Sequence, residues 1–221
     1  MKKLITVPKF GKTVFADGRR QDFDFGNEQL LYLKKKVDYL FIGDSITQLW
    51  DLNAYFGDRY FLVNRGVGGD ESEYVRRRFA ADALQLEPGA VILMVGTNDI
   101  AHTEYDYWWK KKGEPAQKVM EKYKKNILGI DGQCRAAGTE LIVCSVIPSE
   151  IAPPYNRELR WEMTAQMNEF LRGLGRTYVD YHGALTRDGK TLPAELTWDG
   201  IHPNAAGYQI MCDTLKKTLH W

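Results

Sequence analysis

Apolar residues recur along the chain in five short runs, at 37–42, 60–63, 90–95, 140–147 and 178–180. Each is too short for a helix and rich in Val, Ile, Leu, Phe or Tyr, the pattern of strands buried on both faces of a parallel sheet. Between them, apolar and polar positions alternate with helical spacing over 28–36, 71–86, 115–137, 157–174 and 204–218. Pro115 suits a first helical turn and Gly138 a helix C-terminus. The run Arg76-Arg77-Arg78 reads as a solvated helix face. Residues 1–25 show little periodicity and are expected as an irregular N-terminal arm. Strands alternating with helices imply right-handed βαβ units, hence a parallel sheet with helices on both faces. No linker or internal repeat interrupts the pattern, so 1–221 reads as a single α/β domain.

Composition narrows the class. A hydrophobic content of 44% and a charged content of 27% are ordinary for a globular chain of 221 residues. A net charge of +1 argues against a dedicated nucleic-acid surface. Cys134, Cys144 and Cys212 are scattered and odd in number, which reads as reduced core thiols and a cytoplasmic location. The apolar run after Lys2-Lys3 is too short for a signal peptide, and no run reaches transmembrane length, so stable membrane insertion is not expected.

The chemistry gathers where strands end. The first run breaks at Gly43-Asp44-Ser45, and 46–50 read as a first helical turn. Ser45 thus lies at the carboxyl edge of a parallel sheet and near a helix N-terminus, where free N–H groups favour negative charge. Taken alone, an Asp-Ser pair reads more readily as a helix cap. Three other stretches change that balance: Asn64-Arg65-Gly66-Val67-Gly68-Gly69-Asp70 after the second run, Gly96-Thr97-Asn98-Asp99 after the third, and Asp199-Gly200-Ile201-His202-Pro203 before the last helix. Acyl transfer needs a hydroxyl nucleophile, a base, an acceptor that orients the base, and preplaced oxyanion donors. Ser45, His202 and Asp199 can fill the first three roles. The N–H groups of Ser45 and Gly69, with the side-chain amide of Asn98, can fill the fourth. Glycine at 69 lets backbone approach where a Cβ would obstruct.

Competing motifs fail on spacing. Gly189-Lys190-Thr191 ends like a phosphate-binding loop, but Ala184 stands where its first glycine belongs. Gly66-Val67-Gly68-Gly69 lacks the last glycine of a dinucleotide fingerprint, because Glu71 occupies that position. His-Glu-x-x-His and Cys-x-x-Cys are absent, so neither metal nor cofactor is implied. Thr47 replaces the second glycine of a Gly-x-Ser-x-Gly elbow.

Taken together, Gly43-Asp44-Ser45, the 64–69 stretch, Gly96-x-Asn98-Asp99 and Asp199-x-x-His202 resemble the four blocks of the SGNH/GDSL hydrolases. The segments 43–50 and 64–70 most resemble the platelet-activating-factor-acetylhydrolase-like branch. Ile46 stands where the GDSL name has Leu, a conservative change. The resemblance implies a flavodoxin-like three-layer α/β/α fold with a five-stranded parallel sheet and cofactor-free hydrolysis of short acyl esters of a sugar or lipid. It assigns Ser45 as nucleophile, Asp199 and His202 as the rest of the triad, and Gly69 and Asn98 as oxyanion donors.

Several residues stand outside these blocks. Asp99 and His102 repeat the Asp-x-x-His spacing and read as loop chemistry. The aromatic and basic connection at 105–113 is compatible with a lid, an oligomer contact, a membrane-surface patch or a packed flap. Trp198 either walls an acyl pocket or braces its loop, and His182 and His220 have no assigned partner. A non-catalytic binding module of the same fold, acyl transfer to an acceptor other than water, and homo-oligomerisation all remain compatible with the sequence.

Overall fold

The five apolar runs become five strands, of which the first, third and fourth are buried along almost their whole length. They are β1 (Tyr39–Gly43), β2 (Leu62–Gly66), β3 (Ala90–Met94), β4 (Glu140–Cys144) and β5 (Thr177–Val179). The structure is a computed structural model and describes residues 15–104, 112–151 and 156–221. The strands form one parallel sheet in the order β2-β1-β3-β4-β5, flanked by helices. That order is the flavodoxin-like one. All five residues of β3 are buried, as its uninterrupted apolar sequence requires. The helices are α1 (Phe15–Tyr32), α2 (Ser45–Gln48), α3 (Leu52–Phe56), α4 (Ser72–Asp82), α5 (Thr97–Ala101), α6 (Ala116–Ala137), α7 (Arg157–Arg172), α8 (Tyr181–Leu185) and α9 (Ala205–Leu219).

The chain divides into two compact units. The first comprises the chain up to Leu93 together with Lys125–Leu141, and the second Met94–Lys124 together with Ile142–Trp221.

In the first unit β1 and β2 pair in parallel, from Tyr39 opposite Leu62 to Gly43 opposite Gly66. The second strand therefore starts and ends later than its apolar run. Before it, Phe61 N–H donates to Asp38 Oδ2 at 2.8 Å. At its end the polar pair Asn64-Arg65 stays in the ladder because other elements absorb the two side chains. Asn64 Nδ2 donates to the carbonyls of Thr47 (2.7 Å) and Trp50 (3.1 Å), while Arg65 Nη2 donates to Asn27 Oδ1 at 2.6 Å. Asn27 is fully buried and also donates to the Ala81 carbonyl. This clasp seats α1, with Phe23 packed among Val67 and the Arg65 guanidinium. Residues 15–25, expected in the irregular arm, are thus helical, and the helix runs unbroken to Tyr32 instead of covering only 28–36. Gly18 and Gly26 and a thin apolar stripe hide that helix from periodicity. Residues 1–14 lie outside the described residues.

Arg78 departs furthest from expectation. It is fully buried, not part of a solvated face. Its guanidinium donates to Asp70 (2.6 Å), Asp82 (3.2 Å) and the carbonyls of Gly43 (2.9 Å) and Arg65 (2.8 Å). Burial pushes the guanidinium pKa down and the Asp70 carboxyl up, each opposed by the charge of the other. Its neighbour Arg77 does lie on the surface, paired with Glu73.

In the second unit β4 and β5 pair in parallel from Ile142 opposite Thr177 to Cys144 opposite Val179. The apolar run 140–147 outlasts the strand, because β5 is only three residues long. Asn168 of α7 then replaces the missing strand: Val146 N–H donates to its Oδ1 (2.7 Å), and its Nδ2 donates to the Val146 carbonyl (2.9 Å). Arg160 of α7 makes a two-pronged pair with Glu104, both contacts at 2.5 Å.

Replacing Arg78 by Met removes a buried cation and leaves two buried carboxylates without it. Such a change costs about 3–5 kcal/mol. Urea unfolding of Arg78→Met should show a loss of that size with an unchanged m-value; a loss below about 1 kcal/mol would mean the guanidinium contributes little net stability.

Candidate active site

Ser45 is the first residue of α2, two residues after the end of β1, and is half-buried. Asp44 before it is buried and caps the turn, its Oδ1 accepting from Ile46 N–H at 3.0 Å. The cap role that an isolated Asp-Ser suggests therefore falls to Asp44. The helix itself is four residues long, ending at Gln48. Behind it, Phe41, Trp50 and Phe56 pack with ring centroids 5.4–5.8 Å apart.

The loop after β2 lies in the same unit. Successive N–H groups there are taken up one after another. Gly66 donates to Asn64 Oδ1 (2.8 Å), Val67 to the Gly43 carbonyl (3.0 Å), Gly68 to Gln48 Oε1 (2.5 Å), and Asp70 to the Val67 carbonyl (3.1 Å). Among the described residues no acceptor meets the N–H of Gly69. Gly69 has φ of 80°, a conformation open to glycine and strained for most other residues. A Cβ on Gly68 would lie 3.8 Å from the Ser45 Cβ, so this loop runs beside the serine.

The second unit holds the other candidates. Asn98 is half-buried in the first turn of α5, after β3. The carbonyl of Val95 at the start of that loop accepts from the buried Tyr123 hydroxyl at 3.1 Å. Asp199 and His202 are brought together: His202 Nδ1 lies 2.7 Å from Asp199 Oδ2. The other carboxylate oxygen, Oδ1, accepts from the N–H groups of Ile201 (2.9 Å) and His202 (2.8 Å). Partial burial works against the charged carboxylate. The backbone and ring N–H groups of His202, with Ile201 N–H, outweigh it and hold the Asp199 pKa below the usual carboxylate range.

The loop carrying this pair is closed on itself. Trp198 N–H (3.0 Å) and the Thr197 hydroxyl (2.8 Å) both donate to the His202 carbonyl, and Thr197 pairs with Pro203 as an isolated bridge. Gly200 has φ of 86°, and a Cβ there would overlap the Glu150 carbonyl; Glu150 N–H in turn donates to the Gly200 carbonyl at 2.7 Å. Trp198 is 79% exposed, so it does not brace the loop from inside.

Other candidates are placed as follows. Asp99 is buried in α5, and His102 is exposed just after it. Backbone N–H of His182 donates to Ser145 Oγ, and burial pushes the His182 pKa down. His220 ends α9 with φ of 54°. Residues 105–111 of the aromatic connection, and Pro153-Pro154, lie outside the described residues. Among the described residues no group of three or more His, Cys, Asp or Glu could hold a metal ion, and no helix is long and apolar enough to cross a membrane. Sequence reasoning overlooked Gln48, Arg78 and Gly200. Only Gln48 left a signal, being three residues after Ser45 and therefore on the same helical face.

Comparison with known proteins agrees with these blocks. Residues 41–210 match the GDSL-like lipase/acylhydrolase family. An acetylxylan esterase from Xylanibacter ruminicola is 24% identical over 180 residues, 74% of this chain. This chain spans only 36% of that relative's length. Platelet-activating factor acetylhydrolase IB subunit alpha1 from Rattus norvegicus is 23% identical over 190 residues, covering 84% of this chain and 76% of that protein. A solved GDSL-like lipase from Bacteroides thetaiotaomicron shares the fold with a TM-score of 0.73 at 24% identity, over 94% of this chain and 98% of that one. The matched interval takes in Ser45, the glycine loop, Asn98 and the Asp199–His202 pair, and on that match the chain belongs to the GDSL-like lipase/acylhydrolase family.

Proposed function

We propose that the chain is a single-domain serine esterase that hydrolyses short acyl esters, acetyl esters first, of a sugar or lipid alcohol. The observation that carries this reading is the 2.7 Å contact between His202 Nδ1 and Asp199 Oδ2, made by a carboxylate whose other oxygen is already held by two backbone N–H groups. An imidazole held at Nδ1 presents Nε2 as a base. The uncommitted N–H of Gly69, on a loop beside Ser45, supports the oxyanion assignment. The acetyl preference rests on the relatives, one acting on acetylated xylan and one on platelet-activating factor by their names.

In this reading Ser45 Oγ attacks the acyl carbonyl carbon while its proton passes to His202 Nε2. The carbonyl oxygen becomes an oxyanion met by the N–H groups of Ser45 and Gly69 and by Asn98 Nδ2. The intermediate collapses, the imidazolium protonates the departing alcohol, and an acyl-Ser45 ester remains. Water, deprotonated by His202, attacks that ester and returns the serine. Asp199 stays ionised throughout and stabilises the imidazolium. The three buried free thiols fit a cytoplasmic protein.

Four outcomes test the reading. A fluorophosphonate probe should label the wild type and leave Ser45→Ala unlabelled; persistent labelling would put the nucleophile elsewhere. His202→Ala should lose most of kcat, leaving about 10³–10⁴-fold catalysis over water, while His102→Ala stays within about a few-fold of wild type. Because the Asp199 pKa is held low, the carboxylate remains charged wherever an imidazole titrates. The acidic limb of the wild-type kcat/KM profile should therefore have a slope of one, reporting one group. A slope of two would show that Asp199 and His202 titrate together. Finally, p-nitrophenyl acetate should turn over faster than the octanoate, and the reverse order would favour a lipid acyl substrate.

A further inference from the structure

We infer that Gln48 is a positioning residue for the oxyanion loop, holding the Val67–Gly68 peptide so that the next peptide, Gly68–Gly69, keeps the one orientation that leaves the Gly69 N–H for the substrate. The inference rests on the esterase reading above and deepens it.

Two consecutive glycines form a peptide plane with little intrinsic preference, so Gly68-Gly69 needs outside restraint to keep one orientation. On one side the restraint is the turn closed by Asp70 N–H on the Val67 carbonyl, which sets Gly69 at φ of 80°. On the other side it is Gln48. Its Oε1 accepts from Gly68 N–H at 2.5 Å, and the facing backbone donor dictates that the amide oxygen, not the nitrogen, points into the loop. Gln48 can reach because it lies one helical turn after Ser45, on the same face of α2. The end of β2 is pressed against the same helix: a Cβ on Gly66 would overlap the Gln48 backbone, and Asn64 bonds the Thr47 carbonyl. The fit at Gly68 is looser but still tight, since a Cβ there would stand 3.2 Å from Gln48 Oε1.

The consequence is a division of donors. Gly68 N–H, which would otherwise be a second free donor next to Gly69, is occupied by protein. Of the two glycine donors, the Gly69 N–H is the one left to join Ser45 and Asn98 at a developing negative charge. Gln48 touches neither the acyl carbon nor the oxyanion in this scheme; it acts through the peptide it holds.

The test uses p-nitrophenyl acetate and its thiono counterpart, in which C=S replaces C=O. Sulfur accepts hydrogen bonds poorly, so the oxo-to-thiono ratio of kcat/KM reads donation by the oxyanion hole. Gln48→Met keeps the side-chain length and removes the acceptor. It should lower kcat about tenfold, less than the about 10²–10³ expected when a donor such as Asn98 is deleted outright, with KM within about twofold and the oxo-to-thiono ratio contracted. Gln48→Glu retains an acceptor oxygen and should keep the wild-type ratio even where its charge slows both substrates. Gln48→Ala serves as the second acceptor-free variant if Gln48→Met does not fold. A wild-type ratio in the acceptor-free variant, beside a contracted ratio in Asn98→Ala, would overturn the role of Gln48 and leave the esterase reading intact. If Asn98→Ala also keeps the wild-type ratio, the oxyanion assignment falls and this inference falls with it.

Discussion

The Arg78 guanidinium holds the carboxyl end of the first two strands, and much of the first unit depends on it. Arg78 donates to Gly43, the last residue of β1, and to Arg65, next to last in β2. The same side chain reaches Asp70, directly after Gly69. One residue of α4 thus braces the backbone just before Ser45 and just after the candidate oxyanion glycine. Burying a cation is costly unless it is both paired and hydrogen-bonded. Two carboxylates and two carbonyls meet that condition here, and the arrangement explains why a charged residue lies at the heart of a helix–sheet interface.

Around that brace, short polar side chains do the work of absent secondary structure. Asn64, Asn27 and Asn168 each satisfy backbone groups that a longer strand or helix would have satisfied. Amide side chains suit this role because each offers a donor and an acceptor without a charge to desolvate. The very short α2 follows the same logic. A four-residue helix sums few peptide dipoles, so the negative charge proposed to develop beside Ser45 would be met by particular N–H groups and not by a macrodipole.

The sheet was legible because a strand buried on both faces has to be continuously apolar, and β3 shows this in pure form. The candidate site was legible for a different reason: Ser45, Gly69, Asn98, Asp199 and His202 are residue types for which acyl transfer has few substitutes. What stayed hidden depends on partners distant in sequence. Helix α1 has glycines at 18 and 26 and is seated by a clasp between Asn27, Ala81 and Arg65 that no local window contains. Arg78 looks the same as Arg77 in sequence, and only the position of Asp70 and Asp82 around it separates the buried residue from the exposed one. Gly200 reads as a turn glycine, whereas it is also held under the Glu150 carbonyl. Strand ends drifted by a few residues wherever a side chain, such as Asn168, took over the ladder.

The closure of the Asp199–His202 loop has a dynamic consequence. In the proposed scheme the orienting carboxylate and the base sit three residues apart on one turn, with the carboxylate held by backbone N–H groups of that same turn. Any swing of the loop carries both as a rigid body. In that scheme the imidazole would keep its tautomer and ring angle through any movement of the loop, so that admitting an ester or releasing an alcohol would not require a slow re-pairing of side chains. A catalytic pair drawn from two separate elements would have to reassemble after every such excursion.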